Sequence, residues 1–572
     1  MYTTIIEGKG LLPVNEGNSM RNVTIKLPEN KILEIPAGTK AGKIFSTHLI
    51  IDPTNPPTAA LVNNKATSLS YTIEVNSELI PICKNSLYGR ILFRRSLCFL
   101  LTIASRKIFP ERRLVIGHSL GDGYYYHYDD YQIIPETELN KLSSCMDKIV
   151  KKETPIERKV ISYQEALNYF KEMNQTDTAL LLKYRNESKI PVNVCEDYMD
   201  LFYGPLVPNS KYLTPFCLKK YDPGFLLRFP VSEETDTISE FVDSPSLFSI
   251  YQEYKAWGKI LSIDSVGRLN EIIDSGEIKN FIRVAEALHN KKIAEIADQI
   301  NNKRDSVKVI LIAGPSSSGK TTFTKKLSIQ LRVLGFKPVS ISIDDYFVSR
   351  DKTPKDDKGN YDFEAIEAID IDLLNLHLID LFKGGRVEIP VFDFKTGKRK
   401  KKGKPLELAD NSVLIMEGIH GLNDRLTPLV ENERKYKIYV SALTQLNLDD
   451  HNRISTTDNR LLRRLVRDYQ FRGHNALSTL KRWPSVRRGE DKNIFPFQDN
   501  ADSVFNSAVD YELAVLKVFA EPILKTVKPC HGVYNKAIEL LSFLNNFAPV
   551  SSKYIPDDSI LREFIGGSWF KY

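Results

Sequence analysis

Apolar and polar positions change their rhythm several times along this chain. From Val23 to about Lys84 they alternate as in strands: Val23-Thr-Ile-Lys-Leu27 has period two, and Leu61-Val-Asn-Asn-Lys65 reads as strand then turn. Pro53-Thr-Asn-Pro-Pro57 is a loop, so the stretch predicts a small β-rich module, with residues 1–19 a loose lead. Arg94–Lys107 has helical spacing. Leu114–Tyr128 gives strand, glycine turn and aromatic strand, and Pro135–Lys152 and Ser162–Met173 predict amphipathic helices. Phe281–Ile300 repeats apolar residues every three or four positions, which predicts a connecting helix that packs on the domain C-terminal to it. Then come three apolar runs rich in β-branched residues, at Val309–Ala313, Pro338–Phe347 and Val413–His420, the mark of buried parallel strands.

The first of these runs leads into Gly314-Pro-Ser-Ser-Ser-Gly-Lys-Thr-Thr322, which fits G-x-x-x-x-G-K-T. Gly314 and Gly319 let the backbone turn tightly and present N–H groups to phosphate oxygens. Lys320 can reach the β- and γ-phosphates, and the Thr321 hydroxyl can serve Mg2+. The helical pattern from Thr322 to Arg332 puts the loop at a helix N-terminus, where anions are favoured. Gly314, Pro315, Ser316, Ser317, Ser318, Gly319, Lys320, Thr321 and Thr322 are thus the expected ATP cradle. The second run ends in Asp344 and Asp345, which should face the nucleotide crevice; a carboxylate there can take the proton of an attacking hydroxyl. The third ends in Glu417, placed to serve Mg2+. Arg460, Arg463, Arg464 and Arg467 fall on one side of a helix, either as a solvated basic face or, the favoured reading here, as a mobile lid over the transferring phosphoryl group.

Composition changes this picture little. At 572 residues the chain is too long for one core, so several domains are expected. The net charge of +7 allows nucleotide or RNA partners without demanding them. The six cysteines are scattered without a C-x-x-C pair, which fits a reducing compartment and speaks against a disulfide framework. No apolar run is long enough to span a bilayer, so a cytoplasmic protein is expected.

Six pieces in order resemble the uridine kinase and phosphoribulokinase family: Gly314–Thr322, Ile341-Ser-Ile-Asp-Asp-Tyr-Phe347, Asn360-Tyr-Asp362, Ile389-Pro-Val-Phe-Asp-Phe394, Leu414-Ile-Met-Glu-Gly418 and Arg463-Arg-Leu-Val-Arg-Asp468. The resemblance implies that Asp344 is the general base, that Asp362 contacts the acceptor sugar and that Glu417 is linked to magnesium. It also implies that Arg464 and Arg467 contact phosphate. The family reads a pyrimidine with a Tyr and with a His five residues later; here these positions are Phe392 and Gly397. Phe392 can stack on a substrate but offers no hydroxyl, so uracil specificity does not carry over. Lys395–Lys404 is strongly basic, either as a solvated hairpin tip or as a site for a phosphorylated acceptor or RNA. Trp483, Arg487 and Arg488 either wall the acceptor site or brace the lid.

Most of residues 20–220 resembles the front of threonyl-tRNA synthetases, a TGS domain followed by the second additional domain. Ile116-Gly-His-Ser-Leu-Gly-Asp-Gly-Tyr-Tyr-Tyr126 and Asp197–Pro208 carry this likeness. In those enzymes an H-x-x-x-H pair and a C-x-x-x-H pair clear mischarged tRNA. Here the pairs fall on Arg95 and Phe99, and on Phe202 and Leu206, none of which can ligate a metal or carry a proton in its place. No editing hydrolysis is expected, and His118 and His127 read as structural residues.

The division expected is a TGS-like module over 1–86, a synthetase-like α+β module over 87–235, a helical connector over 236–304, an α/β P-loop kinase over 305–548 with helices on both faces of a parallel sheet, and a tail over 549–572. The leading function is ATP- and Mg2+-dependent phosphorylation of a small hydroxyl acceptor, foremost a nucleoside 5′-hydroxyl. The alternatives are a kinase of another sugar-like alcohol and an RNA-associated regulatory ATP-binding protein. RNA contact through the front modules and homo-oligomerisation stay open.

Overall fold

The computed structural model describes residues 21–232, 235–355, 359, 361–393 and 396–571. The lead over residues 1–19 lies outside the described residues, as do Asn360, Phe394 and Lys395. Residues 22–83 form a five-stranded sheet in the order Ile32–Pro36, Asn22–Lys26, Ser77–Cys83, Pro57–Val62, Lys65–Thr67. The period-two pattern of Asn22–Lys26 turns Val23 and Ile25 inward, onto Ala41, Ile44 and Phe45 of helix Ala41–His48. Asn63 and Asn64 both take positive φ between paired strands, the geometry of a tight hairpin turn.

Helix Leu87–Ile108 begins where the Ser86 side chain accepts a hydrogen bond from the Gly89 N–H at 3.0 Å. It packs against the four-stranded sheet that pairs Leu114–Leu120, Gly123–Tyr128, Gly224–Arg228 and Cys217–Tyr221. A three-stranded sheet, with helices Tyr163–Glu172 and Thr176–Lys183 packed on it, completes this module.

The helix expected over Phe281–Ile300 runs from Ile278 to Asn301. It is more than a connector. Ile282, Ile293, Ile296 and Ile300 are buried in one cluster with Phe323, Leu327 and Leu331 of helix Lys320–Val333. A sheet of five parallel strands follows, in the order Lys337–Ser342, Ser412–Glu417, Val309–Ala313, Lys435–Ser441, Ser503–Asn506. The run Val309–Ala313 is wholly buried because both faces are covered. Ile310 and Ile312 face the cluster that holds Phe323. Val309 and Leu311 face Leu374, Leu378 and Leu381 of helix Ile371–Phe382 on the other side. Ile312 and Ser342 both pair with Glu417, so the carboxyl ends of three strands align at one edge. Ligands collect at such an edge.

The front module is fastened to the domain built on this sheet by buried and half-buried polar bonds. The loop between strand Lys435–Ser441 and helix Thr456–Phe471 gives Asp450 to Arg113 and His451 to Asp200 (Nδ1 to Oδ2, 2.6 Å). Asn447 donates to the Ile116 carbonyl at 2.7 Å, and Asn452 to the Leu201 carbonyl at 2.7 Å. Burial lowers the His451 imidazole, and the neighbouring Asp200 outweighs this and raises it above its ordinary value. Residues 549–571 pack onto the same domain: Ile560, Leu561 and Phe564 are buried in its main cluster.

Candidate active site

Gly319 takes φ +81° as the cap of helix Lys320–Val333, a conformation that favours glycine. Gly314 lies so close to the Val440 carbonyl that a Cβ would not fit. Both glycines therefore do what a tight phosphate loop requires. The Lys320 ammonium lies back on the loop, donating to the carbonyls of Gly314 (2.8 Å) and Pro315 (3.2 Å). Burial draws its pKa down, and Glu417 and Asp344 oppose this. Thr321 donates to Glu417 Oε1 at 3.1 Å, which brings together the two residues expected to serve Mg2+. Burial pushes the Glu417 carboxyl up to about 7, against the pull of Lys320.

Strand Lys337–Ser342 ends one residue before a 3-10 turn, Ile343–Tyr346, so both aspartates sit on the turn and not on the strand. Their roles separate there. Asp345 accepts from the Phe392 N–H at 3.2 Å and fastens the adjoining hairpin. Asp344 is half-buried near Lys320, and desolvation raises its pKa while Lys320 lowers it. A raised pKa gives a carboxylate more appetite for a hydroxyl proton.

The arginine helix, Thr456–Phe471, corrects part of the lid expectation. Arg460 and Arg463 are wholly buried and bind Glu490 and Glu512. Arg460 also donates to the Ser316 carbonyl at 3.0 Å, and Arg463 to the Ser507 carbonyl at 2.9 Å. These two brace the loop from behind and cannot swing as a lid without stranding buried charges. Arg464 does face the site, donating to Ser316 Oγ at 2.7 Å. Arg467 pairs with Asp468 at 2.9 Å. Trp483 is buried, with the Arg460 guanidinium 5.5 Å from its ring centroid, and Arg487 pairs with Glu490 and Asp491. Both belong to the brace.

On the acceptor side, Phe392 lies against Phe347, with ring centroids 5.6 Å apart. Gly397 takes φ +68° and its missing Cβ would stand 2.8 Å from Arg350 Nε. A His there would meet both a strained backbone and an occupied space. Asp362 Oδ1 accepts from the Glu364 N–H at 3.1 Å and so fixes its own turn. The basic stretch after it forms two short antiparallel pairings, Phe392–Asp393 with Lys398–Arg399 and Val387–Ile389 with Lys404–Leu406.

Three acids that the sequence pattern does not single out stand at this site. Glu490 accepts from the Ser316 N–H at 3.1 Å. Glu364 is pushed up to about 7 by burial and then by Glu490, with Arg464, Asp344 and Lys320 also acting on it. Glu563 reaches Thr322 from the far C-terminus. In the sequence each is one charge among many, and only Gly489, whose missing side chain leaves room for Glu364, hints at a close approach. His118 and His127 are buried and bonded: His118 Nδ1 lies 2.7 Å from the Ser119 carbonyl and His127 Nδ1 2.9 Å from that of Tyr128. Among the described residues, no group of three or more His, Cys, Asp or Glu is placed to hold a metal, and no helix is long and apolar enough to cross a membrane.

Residues 309–514 match the Phosphoribulokinase / Uridine kinase family. The front of the chain is similar to threonine–tRNA ligases. That of Carboxydothermus hydrogenoformans is 32% identical over 199 residues, which is 34% of this chain and 31% of the ligase. The chain thus spans less than a third of the length of that relative. Among solved structures, one described as a possible uridine kinase from Bacillus stearothermophilus aligns with 36% of this chain and all of its own length, at 18% identity and a TM-score of 0.24. D-glycerate 3-kinase from Cryptococcus neoformans aligns with 48% of this chain and 87% of its own, at 16% identity and a TM-score of 0.22. The chain joins a front end similar to that of threonine–tRNA ligases to a P-loop kinase domain of the Phosphoribulokinase / Uridine kinase family over residues 309–514.

Proposed function

We propose that this protein transfers the γ-phosphoryl group of ATP to a hydroxyl of a small acceptor, foremost a nucleoside 5′-hydroxyl. The observation that carries this reading is geometric: three strand ends align at one sheet edge, where Thr321 donates to Glu417 at 3.1 Å and the Lys320 ammonium rests on the Gly314 and Pro315 carbonyls of the loop. Polar groups that converge at the carboxyl ends of a parallel sheet are placed for chemistry on a ligand bound there.

In this reading the loop N–H groups and Lys320 hold the triphosphate. Asp344 takes the acceptor proton as the oxygen attacks, and Arg464, with Arg467, balances charge on the transferring group. Thr321 and Glu417 present hard oxygen donors 3.1 Å apart, which fit Mg2+ with phosphate oxygens completing its shell. Bound there, Mg2+ would neutralise the β- and γ-oxygens. Asp362 and Phe392 are proposed to contact the acceptor. A second reading, a kinase of another sugar-like alcohol, is favoured by Gly397, where Arg350 fills the space a pyrimidine-reading His would need. RNA contact by the front modules and a cytoplasmic location belong to the proposal as well.

The test is an ATP-consumption screen of the full-length protein with Mg2+ against nucleosides, sugars and sugar phosphates. Acceptor-dependent turnover with uridine or cytidine supports the first reading, and turnover with another alcohol the second. ATP bound without turnover on any acceptor contradicts both.

A further inference from the structure

The segment expected as a tail packs against the phosphate loop and the helix that follows it. Residues 549–571 lie beyond the kinase family match, which ends at residue 514. Ile560, Leu561, Phe564 and Ile565 are 2%, 1%, 0% and 6% exposed, so the segment is anchored and not loosely draped. Phe564 lies 5.0 Å from the guanidinium carbon of the bracing Arg463. Lys326 holds the Asp558 carbonyl (3.1 Å) and carboxylate (2.9 Å), and Lys325 donates to the Lys571 carbonyl at 2.6 Å. Both lysines belong to the helix that begins at the phosphate loop.

This anchoring sets two side chains on the loop. Ile560 lies against Gly319, leaving no room for a Cβ there. Glu563 Oε2 accepts from the Thr322 N–H at 3.1 Å and from its hydroxyl at 2.7 Å. Thr322 is in the first turn of the helix, whose N–H groups the loop motif offers to phosphate. A carboxylate oxygen and a phosphate oxygen satisfy such a donor alike, and both cannot occupy it.

We propose that Glu563 is a built-in competitor for the nucleotide: its carboxylate fills one phosphate seat at the helix N-terminus, and the triphosphate binds only when that side chain turns away. The proposal rests on the ATP-dependent reading above. The buried strap stays in place, and only the glutamate side chain moves. Apparent affinity is then the intrinsic affinity reduced by the fraction of molecules whose seat is open. The strap also touches the arginine helix, since Gly566 abuts the Phe471 ring, so the seat and that helix's end share a neighbour.

The experiment measures dissociation constants of the full chain for ATP, inorganic tripolyphosphate and adenosine, in the wild type, Glu563→Ala and Glu563→Gln, with thermal unfolding as the fold control. Glu563→Ala is expected to tighten ATP and tripolyphosphate by about tenfold or more, the factor expected if the seat is open in a tenth of molecules, and to leave adenosine unchanged. Glu563→Gln, which keeps the shape and loses the charge, is expected to tighten both polyphosphates by a smaller factor; it decides the matter should the alanine variant not fold. Unchanged or weaker polyphosphate binding in folded variants overturns the proposal while leaving the kinase reading intact, provided ATP still binds. Absence of ATP binding in all three folded proteins overturns both.

Discussion

The crevice at the carboxyl ends of the kinase sheet and the corresponding hollow of the synthetase-like module are built from opposite materials. In the first, Lys320, Asp344, Glu417 and Glu364 are packed close enough to shift one another, and burial works against every charge. In the second, the positions that resemble a metal-and-proton site come together just as closely, yet as packing. Phe99 and Phe202 meet edge to face with centroids 5.5 Å apart, and both are buried with Leu206 in one cluster. Arg95 donates to the Pro205 carbonyl at 3.4 Å and pairs with Glu539 of the kinase at 3.7 Å. One region gathers opposite charges at a sheet edge, and the other is filled mainly by rings, with Arg95 paired to Glu539 at its border. Grouped, partly buried charges cost a fold stability, so their presence points to use.

The largest expected effect comes from separating the two regions. A piece made of residues 305–572 alone loses helix Ile278–Asn301. That removes five buried isoleucines, each contributing about 1.5–3 kcal/mol, against a total domain stability of about 5–15 kcal/mol. It also strands His451 and Asp450 without Asp200 and Arg113. The piece is expected to be unfolded or aggregated by circular dichroism and gel filtration. A folded piece that binds ATP normally would show instead that the front is dispensable.

A smaller effect is expected inside the filled hollow. Phe99→Ala removes a wholly buried ring and is expected to cost about 3–5 kcal/mol in denaturant unfolding. The ATP affinity of the folded fraction is expected to be unchanged. A large loss of affinity with little loss of stability would mean that the hollow serves the nucleotide and is more than packing.

The smallest effect is a change of slope. Glu417 has its pKa raised in the fold from 4.5 to about 7, so the native state holds the proton more tightly than the unfolded chain does. Its contribution to stability is full below about pH 4.5 and is lost as pH rises through about 7. In nucleotide-free protein, Glu417→Gln is expected to flatten the fall in melting temperature between about pH 5 and 8. An unchanged slope would place the titration elsewhere among the acids of the crevice.

Much of the molecule was legible along the chain. The phosphate loop, the acid-ended strand Ser412–Glu417, the hairpin Leu114–Tyr128 and both amphipathic helices arise from local pattern, since period and glycine placement report the backbone directly. What could not be read were long-range partners. Arg460 and Arg464 have the same helical spacing, yet one is buried on Glu490 and the other faces Ser316, because the packing of helix Ala476–Asn493 decides between them. Glu563 reaches Thr322 across 241 residues, with no local signal at either end. Gly397 marks a departure from the family pattern, but that Arg350 fills the space is visible only in three dimensions.

The central claim is that Asp344 is a base in a working kinase crevice, and one paired measurement tests it most directly. ATP binding and acceptor-dependent turnover are measured side by side for the full-length wild type and Asp344→Asn. The account predicts turnover lower by about 10²-fold or more with ATP affinity nearly kept, as expected for loss of a general base. Near-normal turnover in Asp344→Asn would contradict it.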